Sequence, residues 1–223
     1  MVVSYPIRPI AKEPETRVLL EGVSWETFER LLEETGKQGH KQLAYSDGCL
    51  EIMVPLRDHE EPTRLFDAFV AAIVDELEIE LCTLGSLTMK NPDERKGLEP
   101  DCCFYIQNES AIRNVETLDF AIHPPPDLVV EVDNTSQSLD KFPIYVALKI
   151  PEIWRLRKGK LTLYWLNEAK NDYVEQTESL SFPGIPVAEI PEFIAKAKVN
   201  GQRTAVRGFQ QRVAQMLTDK SPD

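Results

Sequence analysis

The chain has no glycine-rich phosphate loop, no pair of cysteines at metal-ligand spacing and no apolar run approaching bilayer length. Each absence removes a class of function. Without a Gly-rich turn opening a helix, the nucleotide-binding folds built on that turn are disfavoured. Cys49, Cys82, Cys102 and Cys103 form no C-x-x-C pair, which excludes a zinc ribbon or a thioredoxin-type redox motif. Adjacent Cys102 and Cys103 point to opposite faces of a strand and read as small core thiols. Three scattered histidines do not make a zinc site, and His123, alone before three prolines, reads as a loop residue. Ser136 and Ser138 have no histidine at useful spacing, which argues against a serine hydrolase. The opening Met1-Val2-Val3-Ser4-Tyr5-Pro6-Ile7-Arg8-Pro9 lacks the apolar centre of a signal peptide, so the expectation is a cytoplasmic protein with no membrane partner.

What is present suits one globular domain: 223 residues, 42% hydrophobic and 28% charged. The net charge of -12 works against non-specific nucleic-acid binding, which relies on Lys and Arg. That charge is uneven. From Glu192 to Asp223 there are six basic residues against three acids, so a local basic face is compatible with the whole.

Residues 1 to 16 are proline-rich and polar and read as an irregular arm. Trp25, Phe28, Leu31 and Leu32 have helical spacing, with Ser24 as N-cap. Asp47-Gly48 between two short apolar segments signals a hairpin. Leu65, Phe66, Phe69, Val70, Ile73, Val74 and Leu77 define an amphipathic helix from about Glu60 to Leu77. Leu81 to Met89 reads as a strand and Asn91 to Gly97 as a charged loop. A loop with a helical turn fills residues 107 to 125, and Pro124-Pro125-Pro126 introduces another strand. A helix from Ser138 to Leu148 carries Pro143 in its first turn. A hairpin follows around Lys158-Gly159-Lys160, then a strand from Asp172 to Gln176, then helix from Ile190 to Leu217 with a break near Asn200-Gly201. The order predicts an α/β or α+β domain around one mixed sheet.

Two segments carry the chemistry. Glu99-Pro100-Asp101-Cys102-Cys103-Phe104-Tyr105-Ile106 and Pro126-Asp127-Leu128-Val129-Val130-Glu131-Val132-Asp133 are short apolar runs ended or interrupted by acids, the pattern of buried strands that deliver a carboxylate to a site. Side by side, they bring Asp101 and Glu131 together, and two close carboxylates call for a cation between them: Mg2+ or Mn2+, given oxygen ligands. Lys141 downstream completes a set for cutting phosphodiesters, able to orient the attacking water or, with its pKa lowered, deprotonate it. By alternation Asp127, Val129, Glu131 and Asp133 share a face, which makes Asp127 or Asp133 a supporting acid. His59-Glu60-Glu61 opens the long helix, where acids complement the helix dipole; alternatively His59 or Glu60 turns into the site. The plain alternative treats Asp101 as a turn residue, Glu131 as solvent-facing and Lys141 as an ordinary helix cation. An acid pair of glycosidase type remains a third reading, requiring carboxyls about 5 to 10 Å apart.

These residues resemble a known family. Glu99-Pro100-Asp101, Pro126-Asp127-Leu128-Val129-Val130-Glu131-Val132, Lys141 with Tyr145, and Ile150-Pro151-Glu152-Ile153-Trp154 together are similar to the Uma2 group of the PD-(D/E)XK nuclease superfamily. Ser24-Trp25-Glu26-Thr27-Phe28, Asp47-Gly48 before Leu50-Glu51-Ile52-Met53, and Pro55 through His59-Glu60 also look like it, so the likeness runs from about Val18 to Trp165. It implies a restriction-endonuclease-like α/β core, a central mixed sheet flanked by helices, over residues 17 to 180, between the arm at 1 to 16 and a C-terminal helical extension at 181 to 223. It also implies a Mg2+- or Mn2+-dependent endonuclease acting on nucleic acid, DNA by expectation, with Asp101, Glu131 and the backbone carbonyl of Val132 as metal ligands and Lys141 catalytic. His59, Glu60 and Asp133 are candidate auxiliaries. Homodimerisation, through Trp165 or the C-terminal helices, is a further implication. One position departs from the superfamily pattern: the lysine usual two residues after the acid is Asp133 here, and Lys141 stands in for it. A catalytically inactive protein of the same fold, binding nucleic acid or protein, is the alternative that this departure and the -12 charge favour.

Overall fold

The computed structural model describes residues 7 to 9, 15 to 35, 41 to 133 and 139 to 220. In chain order its strands and helices begin with β1 (Ile7–Pro9), β2 (Glu15–Leu20) and α1 (Trp25–Thr35). The hairpin β3 (Gln42–Ser46) and β4 (Cys49–Pro55) leads into α2 (Arg57–Leu77), followed by β5 (Cys82–Thr83), β6 (Met89–Asn91), β7 (Lys96–Leu98) and β8 (Cys102–Tyr105). A short α3 (Glu109–Ile112) precedes β9 (Leu128–Asp133), α4 (Phe142–Ala147), β10 (Glu152–Arg157), β11 (Lys160–Asn167) and β12 (Asp172–Gln176). The helices α5 (Ile190–Asn200) and α6 (Gln202–Lys220) close the order.

Local chemistry accounts for most of these boundaries. Ser24 Oγ accepts from the Thr27 backbone N–H at 3.2 Å and caps α1. Both hairpin turns need two successive left-handed residues, supplied by Asp47 (φ 52°) with Gly48 (φ 83°) and by Lys158 (φ 49°) with Gly159 (φ 75°). The long helix starts earlier than the apolar period alone predicts, at Arg57, and takes Pro62 into its opening turns. Pro143 sits in the first turn of α4, which is shorter than expected and leaves Lys141 at its N-cap position.

Two six-stranded sheets form where the sequence predicts one. The mixed sheet runs β12-β11-β10-β9-β8-β5, and the antiparallel sheet runs β1-β2-β4-β3-β7-β6. Two expectations are corrected here. Ile7–Pro9, within the expected irregular arm, pairs with β2, and the charged segment read as a loop from Asn91 is the β6–β7 hairpin. Both corrections involve strands of three residues, too short to show a period. The expected strand from Leu81 to Met89 is broken by Gly85 (φ 57°) into β5 and β6, one in each sheet.

The mixed sheet is covered on both faces. Cys102, Phe104, Val130 and Trp154 pack with Phe66, Phe69 and Ile73 of α2 and with Phe193, Phe209 and Val213 of α5 and α6. Cys103, Val129 and Ile153 pack on the opposite side with Ile144 and Tyr145 of α4 and with Ala44 and Leu98 of the antiparallel sheet. A strand buried on both faces loses the hydrophobic–polar alternation, and β9 is buried at every position. Its acids therefore lie in protein rather than in water. No helix of the described residues is long and apolar enough to cross a membrane.

Candidate active site

The antiparallel register of β8 on β9 decides where the two acids go. Cys102 is paired with Val130 and Cys103 with Val129, so one step further along the ladder sets Asp101 opposite Glu131 on the same face. Directly opposed positions hold their Cβ atoms about 5 Å apart. Asp101 is 3% exposed and Glu131 5%, so the carboxylates meet out of contact with bulk water.

Every carboxylate oxygen there has a protein donor. Asp101 Oδ2 accepts from the Val132 N–H at 2.7 Å and lies 3.2 Å from His59 Nε2, while Oδ1 accepts from Gln42 Nε2 at 2.9 Å. Glu131 Oε2 accepts from Lys141 Nζ at 2.6 Å, and Oε1 accepts a short hydrogen bond from the Tyr145 hydroxyl. The sheet supplies the acids, the first turn of α2 supplies His59, and the start and body of α4 supply Lys141 and Tyr145.

The two acids sit in different electrostatic environments. Burial pushes Asp101 up, but the His59 ring, the Lys141 ammonium and the Val132 N–H outweigh it and bring the carboxyl down to about 2. Burial also pushes Glu131 up, Lys141 pulls it down and Asp101 repels its charge, leaving it at about 6. For Lys141, burial favours the neutral amine, yet Glu131 and Asp101 overcome this and raise its pKa above the ordinary value. The amine is thus held as an ammonium, which suits charge neutralisation and orientation rather than proton abstraction. Burial raises the Tyr145 hydroxyl well above its usual range, and Glu131 adds to the shift, so it stays a donor.

A ring of charge supports this centre. Arg17 Nη1 donates to Glu51 Oε1 at 2.7 Å and its other terminal nitrogen lies 3.8 Å from Asp133 Oδ1. Arg155 Nε donates to Asp133 Oδ2 at 2.7 Å. Asp133, two residues after Glu131, is therefore engaged by two arginines. Glu60, the other candidate beside His59, lies 3.6 Å from Arg64 one helical turn along and is largely outside the site. Asp127 is used elsewhere, accepting from the backbone N–H groups of Ile106 and Asn108. Ser136 and Ser138 lie outside the described residues.

Gln42, Arg17 and Arg155 carry no local signal of membership, and Glu51, although it lies in a segment that resembles the family, carries none of its role beside the site. Gln42 is 59 residues from Asp101 and Arg17 is 34 from Glu51, so only the strand pairing brings them in. Tyr145 did have a signal, four residues after Lys141 on a helix and hence on its face.

Among the described residues no three His, Cys, Asp or Glu side chains cluster as a metal-binding group. The donor set still fits a hard divalent ion of the kind that takes one or two protein carboxylates and fills its other positions with water and phosphate oxygens. Asp101 and Glu131 are both oxygen donors with lone pairs to spare beyond their present bonds. An extended residue directs its own N–H and C=O to the same side, so the carbonyl of Val132, whose N–H bonds Asp101, faces the same place. The neighbouring crevice lined by Gln42, Leu43, Glu51, Glu99 and Lys141 is closed to water-sized spheres.

No curated protein aligns with the chain closely enough to count as a relative. Residues 25 to 193 match the model of the Uma2 family, described as putative restriction endonuclease. The matched span begins at α1, contains β3 to β12 with Asp101, Glu131 and Lys141, and ends within α5. The match covers most of the chain, and the protein belongs to the Uma2 family of restriction-endonuclease-like proteins.

Proposed function

We propose that the chain is a divalent-metal-dependent nuclease that hydrolyses phosphodiester bonds, with DNA as substrate. The observation that carries this reading is the opposition of Asp101 and Glu131 across β8 and β9, with the Lys141 ammonium 2.6 Å from Glu131. Asp101, Glu131 and the Val132 carbonyl would hold Mg2+ or Mn2+, which when bound supplies charge neutralisation on the phosphate and acidifies a bound water. Lys141 keeps a positive charge beside the carboxylates, where a phosphate oxygen gains from it. His59 and the Val132 N–H keep Asp101 ionised at neutral pH, and Tyr145 with Lys141 fixes the Glu131 carboxylate in direction. The water oxygen forms a bond to phosphorus as the P–O bond to the leaving sugar oxygen breaks, and the proton the water gives up to solvent is matched by one that the sugar oxygen takes from solvent.

Nicking of supercoiled plasmid in Mg2+ or Mn2+, with EDTA as control, tests this. Asp101→Ala and Glu131→Ala should each lose at least about 100-fold in rate, as expected when an electrostatic element of the transition state is removed. Both variants nicking at the wild-type rate would overturn the site. A second reading, a binding module that no longer cuts, draws support from the burial of Lys141 at 4% exposure and from arginine-paired Asp133. It predicts nucleic-acid binding with no metal-dependent nicking.

A further inference from the structure

The stretch from Phe193 to Thr218 contains five cations and no acid, in a chain whose net charge is -12. It forms all but the outer ends of the hairpin of α5 and α6, ends that carry Glu192 and Asp219, and most of the hairpin lies beyond the span shared with the family model. Arg212 is tied to Glu189 at 2.9 Å. Lys196, Lys198, Arg203 and Arg207 are exposed, and among the described residues none of them has a carboxylate within ion-pair distance. Elsewhere Arg64, Lys90, Lys96 and Lys160 each have an acid nearby, whereas other exposed cations, such as Arg30, Arg95, Lys149 and Lys170, also have none among the described residues; what sets the elbow apart is the grouping of four such cations on two adjoining helices.

The exposed side chains around these cations are mostly neutral hydrogen-bonding groups, Asn200, Gln202, Thr204, Gln211 and Gln215, with Glu192 one turn before Lys196 the exposed acid of α5. Between the helices, Lys196, Asn200 and Thr204 line a groove of about 210 Å³ floored by Phe193 and Gly208. The Lys196 ammonium rests 4.3 Å above the Phe193 ring, which holds it at the groove rim.

The elbow is placed at the same end of α2 as the candidate site. Gln202 Nε2 donates to Glu61 Oε1 at 3.3 Å, joining the start of α6 to the first turn of α2, and two residues earlier in that turn His59 faces Asp101. Further along, Gln210 donates to Glu76, so α6 runs parallel to α2.

We infer that the α5–α6 elbow, through Lys196, Lys198, Arg203 and Arg207, is the surface on which the phosphate backbone of duplex DNA docks, delivering the strand toward Asp101 and Glu131. The inference rests on the nucleic-acid reading above and adds to it the contact surface. Unpaired cations spread over two helices suit a sequence-independent polyanion, since phosphate contacts position a duplex without reading it. They also supply locally the positive field that the acidic whole denies.

The test is anisotropy of a labelled mixed-sequence DNA duplex with the full chain in EDTA, across a series of KCl concentrations. The double variant Arg203→Glu/Arg207→Glu should bind roughly tenfold or more weakly at low salt, with its log Kd against log salt slope reduced by about two. Lys149→Glu/Lys170→Glu, an equal charge change on other exposed lysines, should bind as wild type. Because Arg203 and Arg207 are exposed, unchanged circular dichroism and Tm verify that the first variant is folded. Equal binding by the two double variants overturns the docking surface, as does a wild-type chain that binds no duplex at low salt. If Asp101→Asn binds with the wild-type slope while even wild type fails to nick in Mg2+, the nuclease reading falls and the docking surface stands.

Discussion

Glu131 and Asp101 are chemically similar acids driven in opposite directions by their surroundings, and stability should record it. Glu131 has a folded pKa of about 6, above the ordinary 4.5. Its contribution is fully present below the unfolded value and is lost as pH rises through about 6, so between these limits the folded chain holds the extra proton. Asp101 is depressed to about 2 from 3.8, so its contribution is present above the unfolded value and disappears as pH falls toward about 2. Urea unfolding of wild type and Glu131→Gln at pH 4.5 and 6.5 isolates the Glu131 effect. The wild type should lose between about 1 and 2 kcal/mol relative to the variant over that interval, most but not all of the free-energy equivalent of the shift, because at pH 4.5 the unfolded carboxyl is already half ionised. A difference independent of pH would contradict the environment assigned to Glu131. The thiols give a second residue-level check. Burial pushes Cys103 up to about 12 and raises Cys102 strongly, which leaves almost no thiolate on either. At pH 8 a maleimide should label Cys49 and Cys82, both partly exposed, well before the other two, and all four on unfolding. Rapid labelling of Cys102 or Cys103 in the folded chain would show that the strand bearing Asp101 is not held as described.

At the scale of elements, the joint between the mixed sheet and the C-terminal helices depends on Glu152, the first residue of β10, which is fully buried. It accepts from Trp154 Nε1 at 2.8 Å, from the backbone N–H groups of Leu180 and Ser181 at 3.0 and 2.8 Å, and from Ser179 Oγ at 3.2 Å. One carboxylate thus fixes the turn that sends the chain from β12 toward α5. Glu152→Ala strands several buried donors, and the cost of roughly 1 to 3 kcal/mol per unsatisfied group should lower Tm by many degrees. An unchanged Tm would mean that water or rearrangement replaces the carboxylate. The same residue shows the limits of sequence reading. Pro151-Glu152-Ile153-Trp154 is conspicuous as a motif, yet apart from Trp154 the partners of Glu152 lie nearly thirty residues ahead. Elements with strong local signals were legible: the Asp47-Gly48 and Lys158-Gly159 turns, the apolar period of α2, the break at Asn200-Gly201. The antiparallel sheet was not, because β1, β6 and β7 are three residues each and gain their identity only from neighbours. The candidate centre was legible to the extent that it comes from two consecutive buried strands and the start of the next helix. Its lining by Gln42, Arg17 and Glu51 comes from the second sheet, whose approach to the first no local pattern encodes.

Across the whole molecule, charge is segregated. The acidic excess sits on the body of the protein, while α5 and α6 present cations on the side from which α2 brings His59 to the centre. Such segregation predicts that any nucleic-acid binding will fall steeply with salt despite the low sequence pI of about 4.8, because attraction is local and the remainder repels. At the centre itself, two carboxylates, a histidine and a lysine are packed out of bulk water, with Asp101 and Glu131 repelling each other. A divalent cation between them would relieve that repulsion. The measurement that reaches this claim most directly is a calorimetric titration of Mg2+, and in parallel Mn2+, into wild type and into the Asp101→Asn/Glu131→Gln double variant at neutral pH. The account predicts saturable binding of the metal at millimolar concentrations or below by wild type, absent in the folded double variant. Equal heats from both proteins, or none from wild type at several millimolar metal, would contradict it.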